Sequence, residues 1–369
     1  MKIIRSTKCS LKFSTKHKRK LLSEVLEEYG KVVNFFIDHF WDETPKKAKL
    51  LKDIVNLPET WLTARLRKVA AREAIDMILS AKNKEDEEAR KHKPHHYGKS
   101  MHVSSTIAAL EPAGQATEFD CWLHLQSIGN KIILDLPIKL HKHYHKQVSR
   151  GRRLNSYIIK RDCVQFCFEV ETGKKKEEGK LAGLDTGIIA LATLDNGTQL
   201  GTDIKQLVEI VKRKQHGSNK QKTARRALKQ RMDEVAKELA KQDLQLLVVE
   251  DLQKLNYKTK LRRRLSKSMR RSLGIWAYRY WLNRVQMVTE DNRISLRRIP
   301  PAYTSQRCSS CSHTERGNRN GKNFLCRNCG YVDDADVNAA KNILFRFTSG
   351  PYGAAYKPKM KPEKILLSG

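Results

Sequence analysis

Two Cys-x-x-Cys pairs in the C-terminal third of the chain constrain its fold more than any other feature. Cys308 and Cys311 form the first pair, Cys326 and Cys329 form the second, and fourteen residues separate the pairs. Each pair supplies two thiolates from one tight turn, and two such turns close a tetrahedral site. The spacing predicts one bound zinc ion. Because four thiolates leave no open coordination position, we expect its role to be structural.

The residue that follows each pair differs between the two halves of this module. Gly330 follows the second pair, whereas Ser312 follows the first, where such a turn usually has glycine. Glycine is the residue that adopts the backbone of a tight turn most readily. We therefore expect strain at Ser312, but not loss of the metal.

The net charge indicates a polyanionic partner. The 369 residues include 73 Lys and Arg against 40 Asp and Glu, a formal net charge of +33. A protein that neutralises phosphates gains affinity from the counterions it releases, whereas an enzyme of small molecules gains nothing from such self-repulsion. An anionic membrane and a ribosomal or histone-like role are the alternatives. The apolar stretches are too short to span a bilayer, and the 39% hydrophobic content favours an enzyme core.

Cysteine usage predicts an intracellular protein. Cys9, Cys121, Cys163 and Cys167 are scattered outside the two pairs, which does not suggest a disulfide framework in a chain of this length. No signal peptide is recognisable after Met1. We therefore expect a reduced, cytoplasmic protein with one metal site, and we favour a monomer.

Periodicity divides the chain into a helical block and two regions that contain strands. Apolar residues recur at steps of three and four within 16–96, as they do in helices. Short apolar runs and the alternation of 164–170 predict strands between about 97 and 172. Together with residues 2–13 they indicate a small β-barrel that carries the helical block as an insertion. From 181 onward the order is hairpin strands, helix, strand, helix, strand, cysteine module and short helix, which is typical of an RNase H-like α/β domain within a multidomain α+β protein.

Two acidic residues stand at apolar strands of this domain. Asp185 interrupts the apolar segment 181–194, and Glu250 closes the apolar run 246–249. Parallel sheets place ligands at the carboxyl ends of their strands, and an aspartate in an apolar strand is costly unless it faces a cation. Asp185 is also compatible with a simple turn, and Glu250 with a position on the rim of the sheet. Neither residue identifies a site alone.

A third acidic cluster comes late in the chain. Asp333, Asp334 and Asp336 follow a segment, 252–332, that contains only three acids. A helix is predicted to begin directly after them, and one aspartate is enough to cap it. Hydrolysis of a phosphodiester by two metal ions needs several converging carboxylates. The two strand-end acids and one aspartate of this cluster are the candidates for that site.

Three segments resemble the RuvC motifs of transposon-encoded TnpB proteins and of the related compact type V CRISPR effectors. They are 183–187 (GLDTG), 249–252 (VEDL) and 334–343 (DADVNAAKNI). Residues 303–311 (YTSQRCSSC) are similar to a T-S-Q-x-C-x-x-C stretch of the same family. The motifs fall within 181–343 and occur in the family's order.

The resemblance implies a catalytic set and its chemistry. In the third motif the family's catalytic aspartate is the second one, here Asp336, and Asn338 is a supporting residue. With Asp185 and Glu250, Asp336 would hold two magnesium ions at a single RuvC-like site. The resemblance further implies an RNA-guided DNA endonuclease, a guide RNA from the element's end, and double-stranded target DNA with a short adjacent motif.

The family's domain order, combined with the periodicity, predicts seven segments. They are a first part of the wedge β-barrel (1–15), a helical recognition domain (16–96), the second part of the barrel with a linker (97–178), a RuvC-like nuclease domain (179–303), a zinc-ribbon target-nucleic-acid-binding module (304–333), the third nuclease motif (334–345) and a flexible basic tail (346–369).

Nucleic-acid contacts are expected on basic segments beside the acidic site. Residues 205–231 hold ten Lys and Arg with one acid, and residues 258–271 hold eight with none. Charge runs are usually solvated faces, but two runs that flank Glu250 favour a channel for a guide–target duplex. The cysteine module is basic as well, through Arg316, Arg319, Lys322 and Arg327. The candidate contacts are Thr304, Ser305, Gln306, Arg327, Arg225, Arg226, Arg263 and Arg264.

Three alternative functions are weighed against this interpretation. A guide-bound regulator would bind DNA without cutting, and loss of one of the three carboxylates would mark it; all three are present. A resolvase or transposase would act without RNA, and the charge alone does not exclude one. A structural basic zinc-ribbon protein does not explain three acids at RuvC spacing.

Overall fold

The computed structural model describes residues 2–46, 50–83, 90–115, 118–252 and 266–349. The chain divides into two compact units, Met1–Glu171 and Thr172–Gly369. Each unit contains both helices and strands, so the predicted α+β class is confirmed. The boundary falls within the predicted segment 97–178, shortly before its linker.

The helices of unit 1 lie mainly between its first and second strands. They are α1 (Lys16–Phe40), α2 (Lys52–Asn56), α3 (Ala64–Lys82) and α4 (Lys142–Val148). The hydroxyl of Thr15 accepts a hydrogen bond from the Lys18 backbone N–H and caps the start of α1. The apolar stripe of α1, from Leu22 to Phe40, is buried and packs with α3.

The strands of unit 1 form two antiparallel sheets. They are β1 (Lys2–Ser10), β2 (Ser100–Ser104), β3 (Ala108–Pro112), β4 (Cys121–Leu125), β5 (Leu134–Ile138), β6 (Gly151–Lys160) and β7 (Cys163–Glu171). One sheet has the order β1-β7-β6-β2, and the other has the order β3-β4-β5. Alternate residues of β1 and β7 are buried, as in a sheet with one face on the core.

The predicted closed barrel is wrong for the described part of unit 1, whose strands pair as two open sheets. α1 and α3 both pack against β2, and α1 also packs against β5. One continuous core joins these helices to both sheets. The sheets bury their apolar faces against helices, so the strands do not need to close on one another.

A five-stranded sheet forms the centre of unit 2. Its strands are β8 (Lys180–Asp185), β9 (Ala192–Leu194), β10 (Gln199–Leu200), β11 (Leu244–Glu250) and β12 (Ser295–Ile299). The spatial order is β10-β9-β8-β11-β12. β8, β9 and β10 are antiparallel neighbours, whereas β11 is parallel to β8 and β12. Parallel neighbours require crossover connections, and helices supply them here.

Helices cover both faces of this sheet. They are α5 (Ile204–Arg213), α6 (Asn219–Ala240), α7 (Lys267–Ile275), α8 (Tyr278–Asp291) and α9 (Ala335–Thr348). Leu247 and Val249 of β11 join the core formed with α5, α6 and α8, whereas Leu246 and Val248 pack with Ile343 of α9. None of the described helices combines the length and apolarity that a bilayer-spanning segment requires.

A small cysteine-rich module lies between β12 and α9 in the chain. Its three-stranded sheet consists of β13 (Arg319–Asn320), β14 (Asn323–Leu325) and β15 (Val332–Asp334). β15 leads directly into α9, so the third acidic cluster spans this junction. α9 extends to Thr348, past the predicted end of the third motif at 345. The predicted tail from 350 onward lies outside the described residues.

Candidate active site

Asp185 and Glu250 end two neighbouring parallel strands. Asp185 is the last residue of β8, and Glu250 is the last residue of β11. The register pairs Leu184 with Val249, so the two carboxylates follow at the same edge of the sheet. Both residues are half-buried. The strand-end positions predicted from the apolar runs are therefore present.

Asp336 reaches the same region through the packing of α9. The backbone of Ala340 lies over Gly183 of β8, and the first turn of α9 carries the buried Asp336. Burial, and then the charges of Glu250 and Asp336, raise the pKa of Asp185 to about 8. Asp185 therefore lies in the electrostatic field of the other two carboxylates.

The three aspartates before α9 have different partners. Asp333 accepts hydrogen bonds from the Tyr331 hydroxyl and the Lys341 ammonium group. Asp334 caps α9, because its Oδ1 accepts hydrogen bonds from backbone N–H groups of the first turn. Helix capping thus explains Asp334 but not Asp336, and the catalytic role of Asp336 stays a prediction.

Two cations of the cysteine module contact Asp336. Arg319 Nη2 lies 2.7 Å from Oδ1, and Lys322 Nζ lies 3.3 Å from Oδ2. Arg319 also acts to lower the pKa of Asp185, against the larger effects of burial and of the neighbouring carboxylates. Neighbouring carboxylates repel one another unless cations offset their charge. In this conformation Arg319 and Lys322 supply part of that charge.

Glu250 is held from two sides. The Thr304 hydroxyl donates a hydrogen bond to Glu250 Oε1, and the Tyr278 hydroxyl donates one to the Glu250 backbone oxygen at 3.0 Å. Burial raises the pKa of Glu250, while the Thr304 hydroxyl, Arg346 and Arg319 act to lower it. A half-buried carboxylate with a fixed orientation is suited to binding a cation.

The four cysteines of the module lie together. All four sulfur atoms are within 4.8 Å of one another; Cys308 Sγ lies 3.8 Å from Cys329 Sγ, and Cys311 Sγ lies 3.5 Å from Cys326 Sγ. Four Zn–S bonds of about 2.3 Å in a tetrahedron give S···S edges of about 3.8 Å. The thiols therefore fit one tetrahedral metal ion.

No other group of three His, Cys, Asp or Glu side chains among the described residues has its ligand atoms this close together. The oxygen atoms of Asp185, Glu250 and Asp336 are therefore more widely spaced than the four sulfur atoms.

The two halves of the cysteine site share one backbone arrangement. In each half the first cysteine donates its N–H to the carbonyl five residues later, at 2.8 Å for Cys308 and 2.9 Å for Cys326. The residue after each pair is left-handed, with φ of 68° at Ser312 and 72° at Gly330. The unfavourable backbone expected at Ser312 is present, and a hydrogen bond from the Arg307 guanidinium to the Ser312 hydroxyl offsets part of its cost.

Two buried asparagines join α9 to the start of the module. Asn338 Oδ1 accepts a hydrogen bond from the Ser309 N–H at 3.0 Å, and its Nδ2 donates to the Arg307 carbonyl at 2.8 Å. Asn342 Nδ2 donates to the carbonyls of Arg307 and Thr304, at 2.6 and 3.0 Å. In these contacts Asn338 supports the junction of the module with the helix.

The C-terminal part of the chain is similar to proteins of one family. Residues 278–343 match the family described as Cas12f1-like, TNB domain. The CRISPR-associated endodeoxyribonuclease Cas12f1 of Sulfoacidibacillus thermotolerans is 45% identical over 74 residues, which are 20% of this chain and 18% of that protein. A TnpB-like protein of Aquifex aeolicus is 33% identical over 121 residues, which are 32% of this chain and 38% of that protein. The similarity to these Cas12f1 and TnpB-like proteins is therefore confined to part of the chain and part of each relative.

Two further comparisons concern a third relative and a solved structure. InsQ of Escherichia coli strain K12, named for an inferred RNA-guided DNA endonuclease activity, is 53% identical over 47 residues, 12% of each chain. The chain thus covers less than two fifths of the length of each of these three relatives. A solved structure of the mini-RNA-guided endonuclease CRISPR-Cas_phi3 is similar over 94% of this chain and 92% of that chain, with a TM-score of 0.54 and 10% identity. At that identity the likeness describes the fold alone.

One predicted nucleic-acid contact, Thr304, has a partner within the protein. Its side chain is buried, and its hydroxyl donates a hydrogen bond to the half-buried Glu250 carboxylate. Ser305 and Gln306 are half-buried, and Arg327 is exposed. All four positions remain predicted contacts.

The remaining candidates lie outside the cysteine module. Arg225 is half-buried and Arg226 is exposed, both on α6. Arg263 and Arg264 lie outside the described residues.

Sequence reasoning did not identify three polar residues of the site. In the sequence, Arg319 and Lys322 are recognisable only as part of a basic module. The pairing of Asn323 with Asp334 brings the β13–β14 hairpin, which carries them, beside the acidic cluster. Asp195 Oδ1 accepts a hydrogen bond from the Gly183 N–H at 2.9 Å and supports the strand that carries Asp185. The signal available for Asp195 was its position just after an apolar strand.

Proposed function

We propose that this protein is a TnpB-family RNA-guided DNA endonuclease. The observation that carries the proposal is the position of Asp185 and Glu250 at adjacent strand ends, with Asp336 in the same electrostatic neighbourhood. The net charge of +33 supports a nucleic-acid substrate. The names of the Sulfoacidibacillus thermotolerans and Escherichia coli relatives, a DNA endonuclease and an inferred RNA-guided one, support the reaction.

The proposed nuclease domain is RNase H-like, of the RuvC type. Three antiparallel strands followed by two parallel ones, in the order β10-β9-β8-β11-β12, support this assignment. The cysteine module would be a zinc ribbon inserted before the third motif. Unit 1 would contain the wedge domain, with the helices of 16–96 inserted as a recognition domain.

The proposed site holds two magnesium ions on Asp185, Glu250 and Asp336. Oxygen ligands suit magnesium. Burial, followed by the charges of Glu250 and Asp336, raises the pKa of Asp185, and a bound cation would favour its ionised form. When bound, the metal activates the attacking water and stabilises the leaving oxygen. Thr304 orients Glu250 for this role, while Arg319 and Lys322 balance the charge of Asp336. The four thiols would bind one structural zinc ion.

The proposed partners are a guide RNA from the element's end and double-stranded target DNA with a short adjacent motif. A test is to produce the protein together with that RNA and to purify it without nuclease treatment. We expect one dominant RNA, plasmid cutting that RNase abolishes, and recovery of cutting when the RNA is returned. Heterogeneous RNA together with RNase-resistant cutting would contradict the guided mechanism. Sequence-specific binding without any cutting would instead indicate a guide-bound regulator.

A further inference from the structure

The segment 91–99, between α3 and β2, presents an exposed aromatic ring among positive charges. It contains three lysines, three histidines and no acid. Tyr97 is 73% exposed, the highest value among the large hydrophobic side chains described as exposed. Lys99 Nζ lies 5.5 Å from the centre of the tyrosine ring, and the His95 ring packs edge-on against it with centroids 5.0 Å apart.

The backbone on both sides of Tyr97 is fixed to α1. Asn34 forms two hydrogen bonds with the backbone of His96, donating to its carbonyl at 2.9 Å and accepting from its N–H at 2.8 Å. On the other side Gly98 has φ of 60°, and a Cβ on Gly30 would lie 2.8 Å from Gly98 Cα. The loop therefore packs tightly against the helix while the ring of Tyr97 is left in solvent.

Acidic side chains near this segment are already paired with cations. Glu27, whose backbone packs under Gly98, forms an ion pair with Arg161 at 2.8 Å. Asp38 pairs with Lys93 at 3.0 Å. The surroundings of the exposed ring are consequently suited to an anionic ligand and not to a cationic one.

We propose that Tyr97 stacks on an unpaired nucleobase of a bound RNA or DNA strand. Every nucleobase has a π face that can stack on an aromatic side chain, and nearby lysines attract the strand's phosphates. A ring carried on a fixed backbone loses little conformational freedom when it binds. The inference depends on the proposed nucleic-acid function, but it does not depend on cleavage.

The test uses the full-length protein freed of co-purifying RNA, and single-stranded DNA and RNA oligonucleotides that contain 2-aminopurine. With wild-type protein we expect binding to quench the fluorescence through stacking. Tyr97→Ala should lose the quenching and bind about fivefold to a hundredfold more weakly. Tyr97→Phe, which keeps the ring, should bind within about twofold of wild type. An effect confined to the RNA probe would assign the base to the guide, and one confined to DNA would assign it to the target.

A second exposed apolar residue of unit 1 supplies the matched control. Ile133 is 67% exposed, and Ile133→Ala should leave both affinity and quenching unchanged because it removes no π face. Wild-type affinity and quenching in Tyr97→Ala would overturn the inference while leaving the proposed function intact. Failure of the wild-type protein to bind either oligonucleotide would overturn both.

Discussion

A Cβ atom on Gly183 of β8 would lie 2.1 Å from the carbonyl oxygen of Ala340 in α9. Strand and helix therefore meet backbone to backbone, a contact that only glycine permits. Asp185 lies two residues beyond Gly183, and Asp336 lies one helical turn before Ala340. The contact consequently sets the separation between the two carboxylates.

The first prediction concerns this contact. Gly183→Ala should displace α9 from β8, lower the free energy of unfolding of unit 2 by about 1–3 kcal/mol, and abolish most DNA cleavage. Gly274→Ala in α7 is the control, because its added methyl group would meet no neighbouring heavy atom within 4 Å. Denaturant unfolding and a plasmid-cleavage assay measure the two effects. Wild-type cleavage by Gly183→Ala would show that the contact does not position Asp336.

The second prediction concerns the cysteine site. Cys326→Ser leaves three thiolates, so the purified protein should contain much less zinc than one ion per chain, and β13–β15 should become sensitive to protease. Cys163→Ser, in β7 and outside the cluster, is the control and should keep full zinc content. Elemental analysis measures the metal. Full occupancy in Cys326→Ser would mean that the site is wrongly assigned.

The third prediction uses the equivalent left-handed residues Ser312 and Gly330. Ser312→Ala loses the hydrogen bond from Arg307 and keeps the unfavourable backbone, whereas Ser312→Gly loses the hydrogen bond but removes that cost. The glycine variant should therefore be more stable than the alanine variant by about 1 kcal/mol. Gly330→Ala, whose added methyl meets no neighbouring atom, should lose about the same amount through its backbone alone. The rate at which each of the three variants releases zinc to a chelator measures these differences. Equal rates for Ser312→Ala and Ser312→Gly would contradict the argument.

Local sequence signals predicted the residues that lie at element ends. Asp185 and Glu250 follow apolar runs, and the spacing of the cysteine pairs is a local property, so both could be read along the chain. The assignment of magnesium to the carboxylates and the assignment of zinc to the cysteines rest on those same signals, and both stay predictions.

Contacts between distant elements could not be predicted in this way. Thr304 is recognisable as part of the segment 303–311. Its hydrogen bond to Glu250, however, depends on where the chain after β12 passes the end of β11. Arg319 reaches Asp336 only through the strand register of the cysteine module. The open sheets of unit 1 likewise result from helix packing, which the alternation of strand residues does not reveal.

The fourth prediction is a pH dependence of the metal-free protein. Burial, followed by Glu250 and Asp336, raises the pKa of Asp185 from 3.8 to about 8, so the folded state binds this proton more tightly than the unfolded state. Stability from this group is fully present below about pH 4 and is lost as the pH rises towards about 8. Without magnesium, amide protection in β8 and β11 should fall with pH more steeply in wild type than in Asp185→Asn, which cannot titrate. Hydrogen exchange measures this, and parallel profiles would contradict it.

The fifth prediction separates chemistry from binding. Asp185→Ala, Glu250→Ala and Asp336→Ala should each abolish cleavage while guide-dependent DNA binding stays intact or becomes slightly tighter, because negative charge near the phosphates is removed. Variants that combine these substitutions should cleave no less than the single variants, since one loss already disables the site.

Asp251→Asn and Asp334→Asn are the controls, and both should retain substantial activity. Asparagine at position 334 can still cap α9. Calcium, with its looser coordination, should support binding but little cutting. A plasmid-cleavage time course beside a binding titration measures both. If Asp336→Ala cuts normally and Asp334→Asn does not, the register of the third motif is wrong, and if all three alanine variants cut, the protein is not this nuclease.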